Sequence, residues 1–133
     1  MKVFLDSSVI IEFLRNNKKV VQQVAEASEI YTSSICAYEV LVGEKYLEEK
    51  GQRSHFKETA AFFDRIGTVP FSFSDAAKAA EIAARLTIKG KKVDEIDILI
   101  AAQALSHNAQ FLTMDSRHFE IISAETGLAL GPL

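Results

Sequence analysis

Asp6, Glu39, Asp97 and Asp115 stand where a carboxylate is costly, at the edge or in the middle of apolar stretches. Asp6 follows Val3-Phe4-Leu5. Glu39 lies inside Ile35-Cys36-Ala37-Tyr38-Glu39-Val40-Leu41-Val42. Asp97 opens Ile98-Leu99-Ile100-Ala101-Ala102, and Asp115 closes Phe111-Leu112-Thr113-Met114. An acid in such a setting needs a partner or a cation. One is ordinary, but four point to a shared site for a divalent metal. Each also has a plainer reading. Asp6 fits the N-cap of a following helix. Asp97 fits the third helical position behind a cap at Asp94, facing the helix dipole. Asp115 fits the start of a turn. Glu39 is harder to explain away, because its helical neighbours Ile35, Cys36, Val42 and Gly43 offer no basic partner. Gly43 is a weak helix former whose missing side chain leaves room beside that carboxylate.

Other side chains complete the candidate constellation. Ser8 and Thr113 have hydroxyls suited to orienting a carboxylate or a metal-bound water; local backbone capping is their alternative role. Lys89, Lys91 and Lys92 form a basic cluster shortly before Asp97, suited to a phosphate backbone or to a solvated helix end. Arg117 is a further candidate for substrate contact. His118 lies three residues beyond Asp115, near the proposed site, whereas His55 and His107 read as solvated helix positions. Tyr38 reads as core, with stacking on a nucleic-acid base as its alternative role. No His/Cys cluster has zinc spacing. Phosphate-binding glycine loops and the Gly-x-Ser-x-Gly elbow are absent as well.

These residues must be positioned by alternating strands and helices. The pattern predicts strands at Lys2–Leu5, Ile30–Ser33, Thr68–Phe71 and Gln110–Thr113, with a fifth candidate at Phe119–Ile122. Helices are predicted at 9–14, 18–27, 35–49, 53–66, 75–88 and 94–106. Gly51, Gly67 and Gly90 stop three of them, and Ser74 caps the fifth. The last helix is apolar nearly all round and so should be buried. Such alternation predicts a parallel sheet covered on both faces, with ligands bound outside the strands' carboxyl ends. Asp6 and Asp115 fall at those ends, Asp97 in a first helical turn, and Glu39 little more than one turn into its helix.

The 133 residues suit one domain, 1–133. An apolar fraction of 48% and a charged fraction of 25% are enough for a real core. Cys36 is the only cysteine, so no internal disulfide can form. No apolar run approaches the ~20 residues that cross a membrane, and no signal-like segment opens the chain. The expected location is cytoplasmic. The net charge of −3 argues against a nucleic-acid coat protein, yet without the four acids the balance is +1. A nucleic-acid substrate is therefore not excluded.

At these residues the chain resembles the PIN-domain ribonucleases of the VapC toxin type. The motifs are Phe4-Leu5-Asp6-Ser7-Ser8-Val9-Ile10, Ser34 through Gly43 around Glu39, Asp97 through Ala104, and Leu112-Thr113-Met114-Asp115-Ser116-Arg117-His118-Phe119. Each is weak alone; four in order across nearly the whole chain are specific. The resemblance implies a three-layer α/β/α sandwich with a central parallel sheet of four to five strands. It implies Asp6, Glu39, Asp97 and Asp115 as catalytic, metal-binding acids and Mg²⁺ or Mn²⁺ as cofactor. It also implies an RNA substrate, a homodimer and a small VapB-like antitoxin as partner. Asp94 and Glu95 are extra carboxylates that stand to assist or replace Asp97. The rival readings are a PIN nuclease of RNA processing, a PIN-like domain that only binds RNA or a partner, and a phosphoacceptor receiver module. The last needs a second acid beside Asp6, where Ser7 stands, and an Asp after the third strand, where Ser72-Phe73-Ser74 stands.

Overall fold

The computed structural model describes residues 1–133. In chain order the elements are β1 (Lys2–Leu5), α1 (Ser7–Leu14), α2 (Lys18–Ala25), β2 (Glu29–Ser33), α3 (Ser34–Glu49), α4 (Phe56–Arg65), β3 (Gly67–Val69), α5 (Phe73–Ile88), α6 (Glu95–Ser106), β4 (Gln110–Leu112) and α7 (Ser116–Thr126). Four strands form one parallel sheet in the order β3-β2-β1-β4. β1 is central, and its Val3, Phe4 and Leu5 are all buried, as expected for a strand covered on both faces. Leu5 is in register with Thr32 on one side and Leu112 on the other. The Thr32 hydroxyl donates to the Leu5 carbonyl at 2.8 Å and so costs little to bury.

The strand order decides which helices share a face. Parallel crossovers are right-handed, so steps in opposite directions across a sheet put their helices on opposite faces. β1 to β2 to β3 runs one way, carrying α1 to α4, and these helices pack on one another. β3 to β4 runs back, carrying α5 and α6, which pack together and against α7. The result is an α/β/α sandwich. Connections therefore diverge after the adjacent strands β1 and β4, which makes their carboxyl ends the switch point where sheets of this kind carry their binding crevice. No helix is long and apolar enough to cross a membrane.

α6 is buried at Ile98 and from Ile100 to Ala104, so it forms the inside of its layer as its composition predicts. α5 is capped by Ser72 rather than Ser74. The Ser72 hydroxyl accepts from the Asp75 amide, and the Asp75 carboxylate accepts from the Ser72 amide in a reciprocal box. Gly51 and Gly90 take the left-handed conformation that ends α3 and α5. Gly67 opens β3 instead of only stopping α4.

The expected fifth strand at Phe119–Ile122 is a helix. Phe119 and Ile122 are three residues apart and both buried, while Glu120 between them is exposed: a helical face rather than a strand. The β-favouring run Phe-Glu-Ile-Ile is overridden by packing. Phe119 lies 4.4 Å from Phe111, whose ring in turn stacks on Phe4 at 6.3 Å. The outer edge of β4 is covered by the last residues instead. The Phe111 amide donates to Ala129 at 2.7 Å, and Gly131 donates to Phe111 at 2.8 Å. A β-carbon on Gly131 would collide with the Leu112 side chain, so a larger residue here would force Leu112 to shift.

Candidate functional site

The acids come from four separate segments and meet the crevice in different ways. Asp6 is fixed most tightly. It is the N-cap of α1 in extended backbone, only 6% exposed, with each carboxylate oxygen engaged. The Ser7 amide donates to Oδ1 at 2.7 Å. The Ser8 hydroxyl donates to Oδ2 at 2.9 Å, and the Thr113 hydroxyl at 2.7 Å. Ser8 Oγ then accepts from the Met114 amide at 3.0 Å, and Thr113 Oγ1 from the Asp115 amide at 3.0 Å. Each hydroxyl has one proton, and each directs it to Asp6. The two hydroxyls thereby lace the segment after β4 onto the start of α1. In this network Asp6 caps α1 while the two hydroxyls donate to its carboxylate.

Glu39 lies on α3 and is exposed to solvent at its edge. Its carboxyl is still shielded enough that loss of solvation, the largest cause, pushes its pKa above the ordinary range. The nearby Ser7 hydroxyl partly offsets this, and the charges of Asp6, Asp97 and Asp94 add to it. Asp97 occupies the third position of α6, behind the Asp94 cap whose Oδ1 accepts from the Ile96 amide at 2.9 Å. Its pKa is also raised, by loss of solvation first. A hydrogen bond from His118 opposes the shift, and the charges of Asp6 and Asp94 reinforce it. His118 Nδ1 sits 2.8 Å from Asp97 Oδ2. Beneath, Cys36 is fully buried and its thiol is pushed up to about 12, by desolvation first and then by Asp6. It stays protonated and packs as a small apolar group.

Asp6, Glu39 and Asp97 therefore share one electrostatic field, and Asp94 acts on two of them. Asp115 is exposed at the start of α7, and its side chain makes no capping bond. It reaches the same rim through its amide on Thr113, but its charge is not among those that move Glu39 or Asp97. Glu95 is likewise exposed and absent from that field. No lysine or arginine lies within ion-pair distance of any of the four predicted acids; their one such contact is His118 on Asp97. The acids share a region without converging on a point. No three Asp, Glu, His or Cys side chains are gathered closely enough to enclose an ion.

The basic candidates separate. Lys89 pairs with Glu125 of α7 at 2.7 Å, which lowers the Glu125 pKa. Lys91, Lys92 and Arg117 are exposed and unpaired. Tyr38, expected in the core, is 68% exposed on α3. A β-carbon at Gly43 would touch nothing within 4 Å, so the helix face beside Glu39 is open. His107, expected on a solvated helix face, ends α6 with its ring against Tyr31 and Phe4. His118 is the residue sequence reasoning undervalued. Its closeness to Asp115 in the chain placed it near the site, but its partner Asp97 lies 21 residues away on another helix, which spacing within either helix does not reveal.

A four-stranded parallel sheet with acids gathered over the ends of its middle strands defines an α/β protein with an anionic crevice. The PIN domain family model matches residues 3–124, and the chain belongs to that family. Among curated relatives, Ribonuclease VapC19 of Mycobacterium tuberculosis is 26% identical over 119 residues, covering 86% of this chain and 90% of the relative. Among solved structures, VapBC-1 from nontypeable Haemophilus influenzae aligns with a TM-score of 0.78 at 22% identity, covering 98% and 97% of the two chains. VapBC2 from Rickettsia felis, bound to a DNA fragment from its promoter, aligns with a TM-score of 0.77 at 21% identity and 98% coverage of both. The last two bear on the fold, which they share along its whole length. The receiver-module reading falls with the family assignment.

Proposed function

We propose that this chain is a divalent-cation-dependent endoribonuclease that hydrolyses RNA phosphodiester bonds, and that it is the toxin of a toxin–antitoxin pair. One observation carries the catalytic half. Three carboxylates, from the end of β1, the second turn of α3 and the first turn of α6, act on one another, and no lysine or arginine neutralises them. Two are held above their ordinary pKa largely by lost solvation, a strained arrangement that a cation relieves. The donors are all hard oxygens, which suits Mg²⁺ or Mn²⁺. The acids need not close into a cage, because Mg²⁺ keeps several waters and takes only one or two carboxylates directly.

In this reading Asp6, Glu39 and Asp97 hold the ion and its waters, with Asp115 at the outer rim and Asp94 assisting Asp97. A bound ion supplies charge stabilisation at the phosphate and a hydroxide near neutral pH. Ser8 and Thr113 keep the Asp6 carboxylate aimed, and the exposed Lys91, Lys92 and Arg117 are candidates to position the RNA backbone. Lys89, engaged by Glu125, is the weakest of the four basic candidates. The relative named a VapC ribonuclease and the VapBC neighbours support the toxin role and a VapB-like partner. Exposed Ile11 and Leu14, with Val40 and Leu47, line a groove of about 570 Å³ between α1, α3 and α4 that such a partner can fill. A homodimer belongs to the same reading by family likeness.

The test is incubation of the purified chain with total RNA, with Mg²⁺ and with EDTA, and mapping of the fragment ends. Discrete fragments with Mg²⁺ and none with EDTA are expected. Cleavage undiminished in EDTA contradicts the cation. Absence of cleavage with Mg²⁺ and with Mn²⁺ favours a domain that only binds.

A further inference from the structure

We propose that His118 is a positioning residue for Asp97, setting the direction of its carboxylate within the acidic crevice; this rests on the divalent-cation reading above. The two side chains come from the first turns of different helices, α7 and α6. α7 gets no side-chain cap from Asp115, so its placement depends on the burial of Phe119 and Ile122. That anchoring fixes the residue just before Phe119. His118 Nδ1 thus meets Asp97 Oδ2 at 2.8 Å. An ionised carboxylate only accepts, so the ring proton is assigned to Nδ1.

The consequence is an asymmetry between two acids of one site. Asp6 has protein donors on both oxygens. Asp97 has one donor, on Oδ2, and none on Oδ1. One oxygen is pinned and the other is free to take a ligand. The same bond offsets part of the repulsion that the charges of Asp6 and Asp94 exert on Asp97.

The plainer role is a clasp joining α6 to α7. Those helices already pack on one another, and the pair is part-exposed, 35% for His118 and 24% for Asp97. Half-exposed pairs contribute little to stability. A clasp and a positioning residue therefore differ in what they move: the first moves melting, the second moves cation affinity.

The experiment is Mn²⁺ binding by calorimetry on the full chain, for wild type, His118→Ala and His118→Asn, with melting temperatures in EDTA. The alanine variant should bind Mn²⁺ about tenfold more weakly, the usual scale for losing a group that orients a metal ligand. Its metal-free melting temperature should stay close to wild type. Asn places an amide nitrogen near the Nδ1 position and should recover most of the affinity. The proposal is overturned by wild-type affinity in the alanine variant, by an asparagine variant no better than alanine, or by losses that merely follow melting temperature. Wild type that binds no Mn²⁺ removes the cation reading itself, an outcome distinct from a Mn²⁺-binding protein indifferent to His118.

Discussion

Asp6→Asn should fold normally and lose RNA cleavage by about a thousandfold or more. The fold is spared because Asn is as good an N-cap as Asp. Its side-chain oxygen still accepts from the Ser7 amide, which lies 2.7 Å from Oδ1 in the native protein. The Ser8 and Thr113 hydroxyls, now facing an amide nitrogen, can rotate to accept from it. What disappears is the charge of the most buried of the four acids. A metal ion supplies several kcal/mol of transition-state stabilisation, and each ~1.4 kcal/mol is tenfold in rate. Losing the carboxylate that best holds the ion should therefore remove at least three factors of ten. Initial cleavage rates measured beside a thermal melt decide the matter. A variant that melts like wild type and cuts RNA within tenfold of it contradicts the assignment of Asp6.

Phe119→Ala should cost about 3–5 kcal/mol of unfolding free energy, the range for emptying a large aromatic site in a core. Phe119 is 2% exposed and lies against Phe111, itself fully buried at the centre of β4. The two rings and Phe4 form a continuous aromatic column through β4 and β1. Its neighbours are held by backbone pairing and cannot collapse fully into the gap, so the cavity penalty persists. Urea unfolding of the variant gives the value directly. A loss below about 1 kcal/mol would place residue 119 at a surface, as surface changes usually stay within ~0.5 kcal/mol.

The same residue marks where the sequence was hard to read. β1, β2 and β4 were legible because short β-branched and aromatic runs are bounded by polar residues, and α6 because it is apolar all round. The span 119–122 was not legible. Two apolar residues three apart fit a helix, while Phe119, Ile121 and Ile122, three residues of high β preference in four, fit a strand. The choice is made by a distant partner, Phe111. Tyr38 failed for the opposite reason: an aromatic residue inside an apolar helix reads as core, but its direction on that helix is set by tertiary packing. At the site, Asp6, Glu39 and Asp97 were recognisable as acids out of place. That they lie near one another depends on the crossover directions that open the crevice between β1 and β4. No single segment carries that information. The His118–Asp97 contact joins residues 21 apart through the packing of two helices, and periodicity within either helix is silent about it.

The central claim is that Asp6, Glu39 and Asp97 share one divalent ion. Anomalous scattering from crystals soaked in Mn²⁺ tests it most directly. A peak beside the Asp6 carboxylate, within direct or water-bridged reach of Glu39 and Asp97, is the predicted result. Well-ordered crystals with no peak in that crevice at saturating Mn²⁺, or with the ion held by other residues, would contradict it.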